Sequence, residues 1–189
     1  MTMETGDFQQ ESAIILDEIK HGMDQLDVSR IETLLQEIQS VKRIFCIGAG
    51  RSGIMLQAFC MRLNHLGLQA FMLGTVSCPP TKPGDLVIAA TGSGETAGII
   101  AILQKAKKLG ARTAVFTASD NTSIETCADT IIRVCAPNGL VNEGKYSCQP
   151  MRTLFEQVSF ITYEVLIALL KKRFGISEQD MAGHHANLE

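Results

Sequence analysis

A surplus of positive charge is missing from this sequence: 17 lysines and arginines stand against 20 aspartates and glutamates, a formal net charge of −3, with no basic cluster. That argues against nucleic acid or an anionic membrane as the main partner. No apolar run approaches the ~20 residues of a membrane span, and the N-terminus, with Glu4, Asp7 and Glu11, lacks a signal-peptide pattern. A cytoplasmic protein with no membrane partner is the expectation. C-x-x-C pairs are missing too. Cys46, Cys60, Cys78, Cys127, Cys135 and Cys148 are scattered, mostly among apolar neighbours, and are expected to be reduced thiols that hold no metal. Low-complexity tracts and internal linkers are absent, so residues 1–189 are expected to form a single domain with a substantial core.

What is present alternates. Phe8, Ile14, Ile15, Leu16 and Ile19 give a loosely helical pattern, and Val28, Ile31, Leu34, Leu35 and Ile38 a better one, opened by Asp27 or Ser29 as cap. These helices, within 8–40, are expected to cover a sheet or a neighbouring subunit. Over 41–135, strands are expected at Arg43–Gly48, Gln69–Leu73, Leu86–Ala90, Ala111–Thr117 and Thr130–Val134, with helices between them. One helix runs from Gly53 to about His65, and a short one opens near Thr122, which has capping-box spacing to Glu125. This order predicts an α/β fold: a three-layer α/β/α sandwich around a five-stranded parallel sheet, with ligands at the carboxyl ends of the strands.

Two strand-to-helix turns carry chemistry. Leu86-Val87-Ile88-Ala89-Ala90 reads as a strand buried on both faces, followed by Thr91-Gly92-Ser93-Gly94-Glu95-Thr96 and a helix. Its hydroxyls, Thr91, Ser93 and Thr96, meet the free N–H groups of a helix start, while Gly92 and Gly94 allow a tight turn. That is a nest for an anion, most plausibly a phosphate monoester. The competing reading is an ordinary turn in which Ser93 or Thr96 caps the helix. The earlier turn, Gly48-Ala49-Gly50-Arg51-Ser52-Gly53, matches the dinucleotide fingerprint G-x-G-x-x-G. A nucleotide-binding oxidoreductase expects a carboxylate at the end of the second strand, and here Gly74-Thr75-Val76-Ser77 offers none. Ser52 and its amides facing a small polar ligand fit better. Arg51 either neutralises that ligand or is a solvated turn residue.

Ala136 to Pro150 forms the longest loop, with turn signals at Pro137-Asn138-Gly139 and Asn142-Glu143-Gly144-Lys145. Over 151–189 a long helix, Met151 to about Arg173, precedes a tail. Met151, Leu154, Phe155, Val158, Thr162, Val165 and Leu169 fall on one helical face, and Phe160 and Ile167 on the other with Glu156 and Tyr163. Two apolar sides imply two partners, the sheet and another subunit. Glu156 on such a face is costly unless paired or functional. Gly175 ends the helix, Ser177-Glu178-Gln179-Asp180 starts a short one, and the chain closes with His184-His185-Ala186-Asn187-Leu188-Glu189. A histidine pair there is either a frayed end or a proton-handling tail reaching a site.

Gly48-Ala49-Gly50-Arg51-Ser52-Gly53, Met61-Arg62-Leu63-Asn64-His65-Leu66-Gly67, Thr91 to Thr96, Pro150-Met151-Arg152-Thr153-Leu154-Phe155-Glu156 and His185 to Glu189 together resemble the sugar isomerase (SIS) domain, which is flavodoxin-like. The likeness runs from about Phe8 to the last residue and is narrowest toward members acting on a hexulose 6-phosphate. It implies interconversion of D-arabino-hex-3-ulose 6-phosphate and fructose 6-phosphate, the second step of formaldehyde fixation by the ribulose monophosphate pathway. It further implies a homotetramer with shared sites, 3-hexulose-6-phosphate synthase as pathway neighbour, and no cofactor. By the same resemblance the hydroxyls of Ser52, Thr91, Ser93 and Thr96 would hold the phosphate, with Glu156 as base; Gly50, Arg51 and Gly94, from the same two turns, are expected to line that phosphate site. His185 or His184 would handle protons, with His185 reaching a site that a neighbouring subunit can provide. The chain departs from the family pattern at Thr91, where serine is usual, at His184, where arginine is usual, and in Thr75-Val76-Ser77-Cys78-Pro79-Pro80, which lacks a glutamate. Another SIS isomerase, such as one acting on arabinose 5-phosphate, or a non-catalytic phosphosugar sensor are the alternatives.

Overall fold

The computed structural model describes residues 5–120, 122–137 and 147–188. The expected turns within 138–146, the Thr122–Glu125 capping box, Glu4 and Glu189 fall outside the described residues and side chains. Five strands, β1 (Arg43–Gly48), β2 (Gln69–Met72), β3 (Leu86–Ala90), β4 (Arg112–Thr117) and β5 (Thr130–Arg133), make one sheet in the order β2-β1-β3-β4-β5. Every pairing is parallel. The α/β sandwich read from the alternation of strands and helices is the observed fold.

Side chains of β3 leave the sheet alternately and never reach water. Leu86, Ile88 and Ala90 enter one apolar cluster with Leu56, Phe59, Leu63, Phe155, Val158 and Tyr163. Val87 and Ala89 enter a second with Ile99, Leu103 and Ile124. The first face is covered by α2 (Val28–Ser40), α3 (Gly50–His65) and α6 (Thr153–Phe174), the second by α4 (Ala97–Lys108) and α5 (Thr122–Cys127). A central strand wet on neither face explains why its sequence is uniformly apolar.

Between the two possible caps of α2, the structure selects Asp27, whose Oδ1 accepts from the Ser29 and Arg30 N–H groups at 2.9 and 3.4 Å. Ser177 and Asp180 complete the expected capping box at the start of α7 (Glu178–Gly183), and Gly175 in the left-handed region ends α6. α1 (Thr5–Asp24) differs from the expected stripe. Phe8, Ile14 and Leu16 are exposed, and the helix instead reaches α6 through Gly22, where an added Cβ would lie 2.7 Å from Val158 Cγ2.

The two faces assigned to α6 also need correction. Both expected faces contribute buried residues: Tyr163 and Ile167 on one, with Tyr163 stacked on Phe59 at 4.9 Å between centroids, and Leu154, Phe155 and Val158 on the other, where Val165 is nevertheless 41% exposed beside Ile161. With apolar residues on nearly every side, helical spacing alone could not locate the seam. By length and composition α6 is apolar enough to cross a membrane, contrary to the expectation that no run approaches that length; half of its most apolar stretch is buried inside the protein. It is the core helix, packed among α1, α3 and the sheet.

Candidate active site

The strand order reverses direction between β1 and β3, so their connections leave toward opposite faces and open a crevice at the carboxyl ends. Gly48, the last residue of β1, pairs with Ala90, the last of β3. That register sets the turn 49–52 beside the turn 91–96. Close packing of β1 on α3 needs two glycines: a Cβ on Gly53 would lie 2.5 Å from the Gly48 carbonyl oxygen, and one on Gly48 would lie 2.7 Å from Gly53 Cα. The third, Gly50, opens α3 with φ +55°. The G-x-G-x-x-G spacing thus reflects a close strand–helix contact at Gly48 and Gly53 and a left-handed φ at Gly50.

In the second turn, Thr96 occupies the N-cap position of α4 but makes no capping hydrogen bond. Its Oγ1 lies 3.0 Å from Oγ1 of the buried Thr91, while the Ser93 hydroxyl accepts from Glu95 N–H at 3.3 Å. The simple cap reading therefore fails for Thr96, and the first N–H groups of α4 are left to face the crevice. Gly94, at φ +67°, lies against Ser119; a Cβ there would be 2.9 Å from Ser119 Cβ. The Thr-Gly-Ser-Gly run is bent by that contact as well as by its own turn.

The entry of α6 closes the crevice. A Cβ on Gly92 would lie 3.1 Å from Arg152 Cδ and 3.1 Å from Phe155 Cδ1, which seats the first turn of α6 over the end of β3. Glu156 follows directly. Its side chain is only 12% exposed, and Oε2 forms an ion pair with Arg51, 2.6 Å from its Nε. Burial pushes the Glu156 carboxyl above its ordinary range, and the guanidinium charges of Arg51 and Arg152 pull the other way without cancelling it. A half-buried carboxylate of raised basicity beside two hydroxyl-bearing turns is equipped to move a proton on a bound phosphate ester. Among the described residues no group of three or more His, Cys, Asp or Glu side chains is placed to hold a metal ion.

The histidines lie elsewhere. His184 Nδ1 is 3.1 Å from the His65 carbonyl oxygen, and the His185 ring stacks on His65 with centroids 5.2 Å apart. His65 ends α3, so about 20 Å of helix separates it from Ser52. Within one chain the tail and the Glu156 crevice are at opposite ends of α3. In the segment 61–67, which carries part of the family likeness, Asn64 Nδ2 donates to the Cys60 and Ala70 carbonyls at 3.0 and 2.8 Å and ties the end of α3 to β2, while Gly67, at φ +78°, leaves room for the His184 ring. Burial, then the positive charge of Arg62, hold His65 below its ordinary range. Neither the role of His65 as a dock nor the pairing of Arg51 with Glu156 was visible in the sequence, because both join segments distant in the chain.

The profile of the SIS domain matches residues 37–140. The chain belongs to the SIS domain family. Two relatives are named 3-hexulose-6-phosphate isomerase: one of Bacillus subtilis (strain 168), 39% identical over 94% of this chain and 96% of its own length, and one of Mycobacterium gastri, 32% identical over 97% and 92%. A Methanococcus jannaschii crystal structure, from which a molecular function of 3-hexulose-6-phosphate isomerase has been inferred, aligns with TM-score 0.82, 29% identity, and coverage of 95% of this SIS domain and 99% of that chain. A second crystal structure aligns with TM-score 0.87 and 29% identity, covering 96% and 97%. Full-length coverage on both sides makes the SIS domain, with its α1–α2 and α6–α7 additions, a shared architecture.

Proposed function

We propose that this chain interconverts D-arabino-hex-3-ulose 6-phosphate and fructose 6-phosphate through a cis-enediol. The observation that carries the reading is the convergence of two hydroxyl-bearing turns and one half-buried carboxylate at the β1–β3 switch point. Near-full-length relatives named for this reaction support the same substrate. Gly50, Ser52, Thr91, Ser93, Gly94 and Thr96 hold the phosphate, with Arg51 beside them. Anchored there, the sugar extends toward Glu156, which takes the proton from C2; the proton returns at C3, and the carbonyl moves from C3 to C2. The phosphate, remote from the reacting carbons, supplies orientation. The step needs no electron acceptor, since one carbon is oxidised as its neighbour is reduced.

His185 or His184 moves protons between the two oxygens. The distance along α3 supports a site shared between subunits, in which the tail of one chain serves the crevice of another. Exposed apolar side chains on adjacent helices, Ile54 and Met61 of α3 with Ile161 and Val165 of α6, support a homo-oligomer, read here as a tetramer. A cytoplasmic setting in the ribulose monophosphate pathway, with 3-hexulose-6-phosphate synthase supplying the substrate, belongs to the same proposal. The test is NMR of the purified protein with fructose 6-phosphate in deuterated water. Deuterium at C2 or C3 together with 3-hexulose signals is expected. Phosphosugar binding without exchange would replace the enzyme by a sensing module.

A further inference from the structure

Before any anion arrives, the carboxylate assigned to proton transfer is already occupied by a cation. Arg51 Nε stands 2.6 Å from Glu156 Oε2 as an ion pair, and the two partners are unequal: the arginine side chain is 52% exposed and the glutamate 12%. Glu156 is the fixed member and Arg51 the movable one. Arg51 leaves the first turn of α3, directly after Gly50 and next to Ser52, at the helix end where the anion nest opens. A phosphate monoester carries close to two negative charges at neutral pH and matches the planar guanidinium fork at least as well as a single carboxylate does.

We propose that Arg51 is a positioning residue that exchanges partners, holding Glu156 in the free protein and the substrate phosphate in the complex, so that anion binding itself frees the base. The inference rests on the phosphosugar reading above and deepens it. A cation against a carboxylate favours its charged, weakly basic form, and withdrawal of the cation makes it a stronger base. Arg152, from the turn before α6, acts on Glu156 as well, but its side chain is seated over Gly92 and stays when Arg51 leaves. A ligand lacking the phosphate would therefore meet a muted base, and discrimination against unphosphorylated sugars arises in the chemical step as well as in binding.

The experiment follows Glu156 itself. In full-length protein labelled with ¹³C-glutamate, and with Glu156→Gln to assign its carboxyl signal, the ionisation midpoint is measured with and without sorbitol 6-phosphate, which has no carbonyl to isomerise. Saturation of the wild type is expected to raise the midpoint by about one pH unit. Arg51→Gln is expected to show a midpoint raised already in the free protein, with the further rise cut to less than half; Arg51→Lys, which keeps the charge, is expected to restore most of it. Equal midpoints in free wild type and Arg51→Gln, or equal rises on adding sorbitol 6-phosphate, would overturn the exchange. Failure of the wild type to bind either sorbitol 6-phosphate or fructose 6-phosphate would overturn the phosphosugar reading, and the exchange with it.

Discussion

Gly53→Ala sets two opposing effects against each other at the base of the site. In a helix interior alanine is favoured over glycine by about 1 kcal/mol, and Gly53 sits inside α3 with no left-handed φ to protect. Against this, its new Cβ would lie 2.5 Å from the carbonyl oxygen and 2.8 Å from the carbonyl carbon of Gly48. Both are backbone atoms of a strand paired on each side, so no flexible side chain can yield. Overpacking of this kind costs about 1–3 kcal/mol, and the rigid partner puts it at the upper end, leaving a net loss of about 2 kcal/mol. For a chain of 189 residues that is a fall in Tm of about 4–8 °C. Gly98→Ala is the matched control, since it is also helical and an added Cβ meets nothing within 4 Å; it is expected to hold or gain up to about 1 kcal/mol. Thermal and urea unfolding of both variants measure the two signs. A Gly53→Ala protein as stable as the wild type would refute the close-contact explanation of Gly48 and Gly53.

Tyr163→Phe is expected to be neutral or to stabilise by up to about 1 kcal/mol, because the buried Tyr163 hydroxyl and Ser159 Oγ each lack a well-formed hydrogen bond, and chemical denaturation would show it. At Glu18 of α1, Oε2 accepts from Ser147 Oγ at 2.6 Å and Gln149 Nε2 at 3.0 Å, and Oε1 from the Cys148 N–H at 2.6 Å; Glu18→Ala is expected to cost about 1–2 kcal/mol. Burial pushes the Glu18 carboxyl up, but these hydrogen bonds outweigh it and hold the group below its ordinary range. For an acid with a depressed folded value, the stabilisation is present above the unfolded pKa of about 4.3 and is lost as pH falls through the folded value. The gap in unfolding free energy between wild type and Glu18→Ala should therefore be full at pH 7 and close toward pH 3; a gap that widens on acidification would contradict this sign.

Much of the fold was legible because strand and helix alternate and each buried strand is bounded by turn residues. The five strand positions came within a residue at each end, and the hydroxyl turn after β3 declared itself through its spacing. Less legible was whatever depended on which face of an element is covered. α6 is apolar almost all round, so its seam had to be read from packing, such as that of Tyr163 between Phe59 of α3 and Phe116 of β4. The exposed Phe8 and Leu16 of α1 misled in the same way. Glu156 could be singled out as a carboxylate out of place, yet its partner could not, since Arg51 lies 105 positions earlier and a lone arginine in a glycine turn has no distinctive signal. The histidine tail was conspicuous, whereas its dock on His65 needed the end of α3 and the tail to be seen together.

Glu156→Gln separates the turns proposed to bind the phosphate from the carboxylate proposed as base. Calorimetric titration with sorbitol 6-phosphate and turnover of fructose 6-phosphate would be measured on the same preparation. Binding is expected to be unchanged or somewhat tighter, since Arg51 is released from its pair, while turnover falls by about 10²–10⁴-fold, the range for removal of a general base. Turnover within tenfold of the wild type, or loss of binding in step with loss of turnover, would contradict the assignment of Glu156 as the base of a phosphate-anchored isomerase.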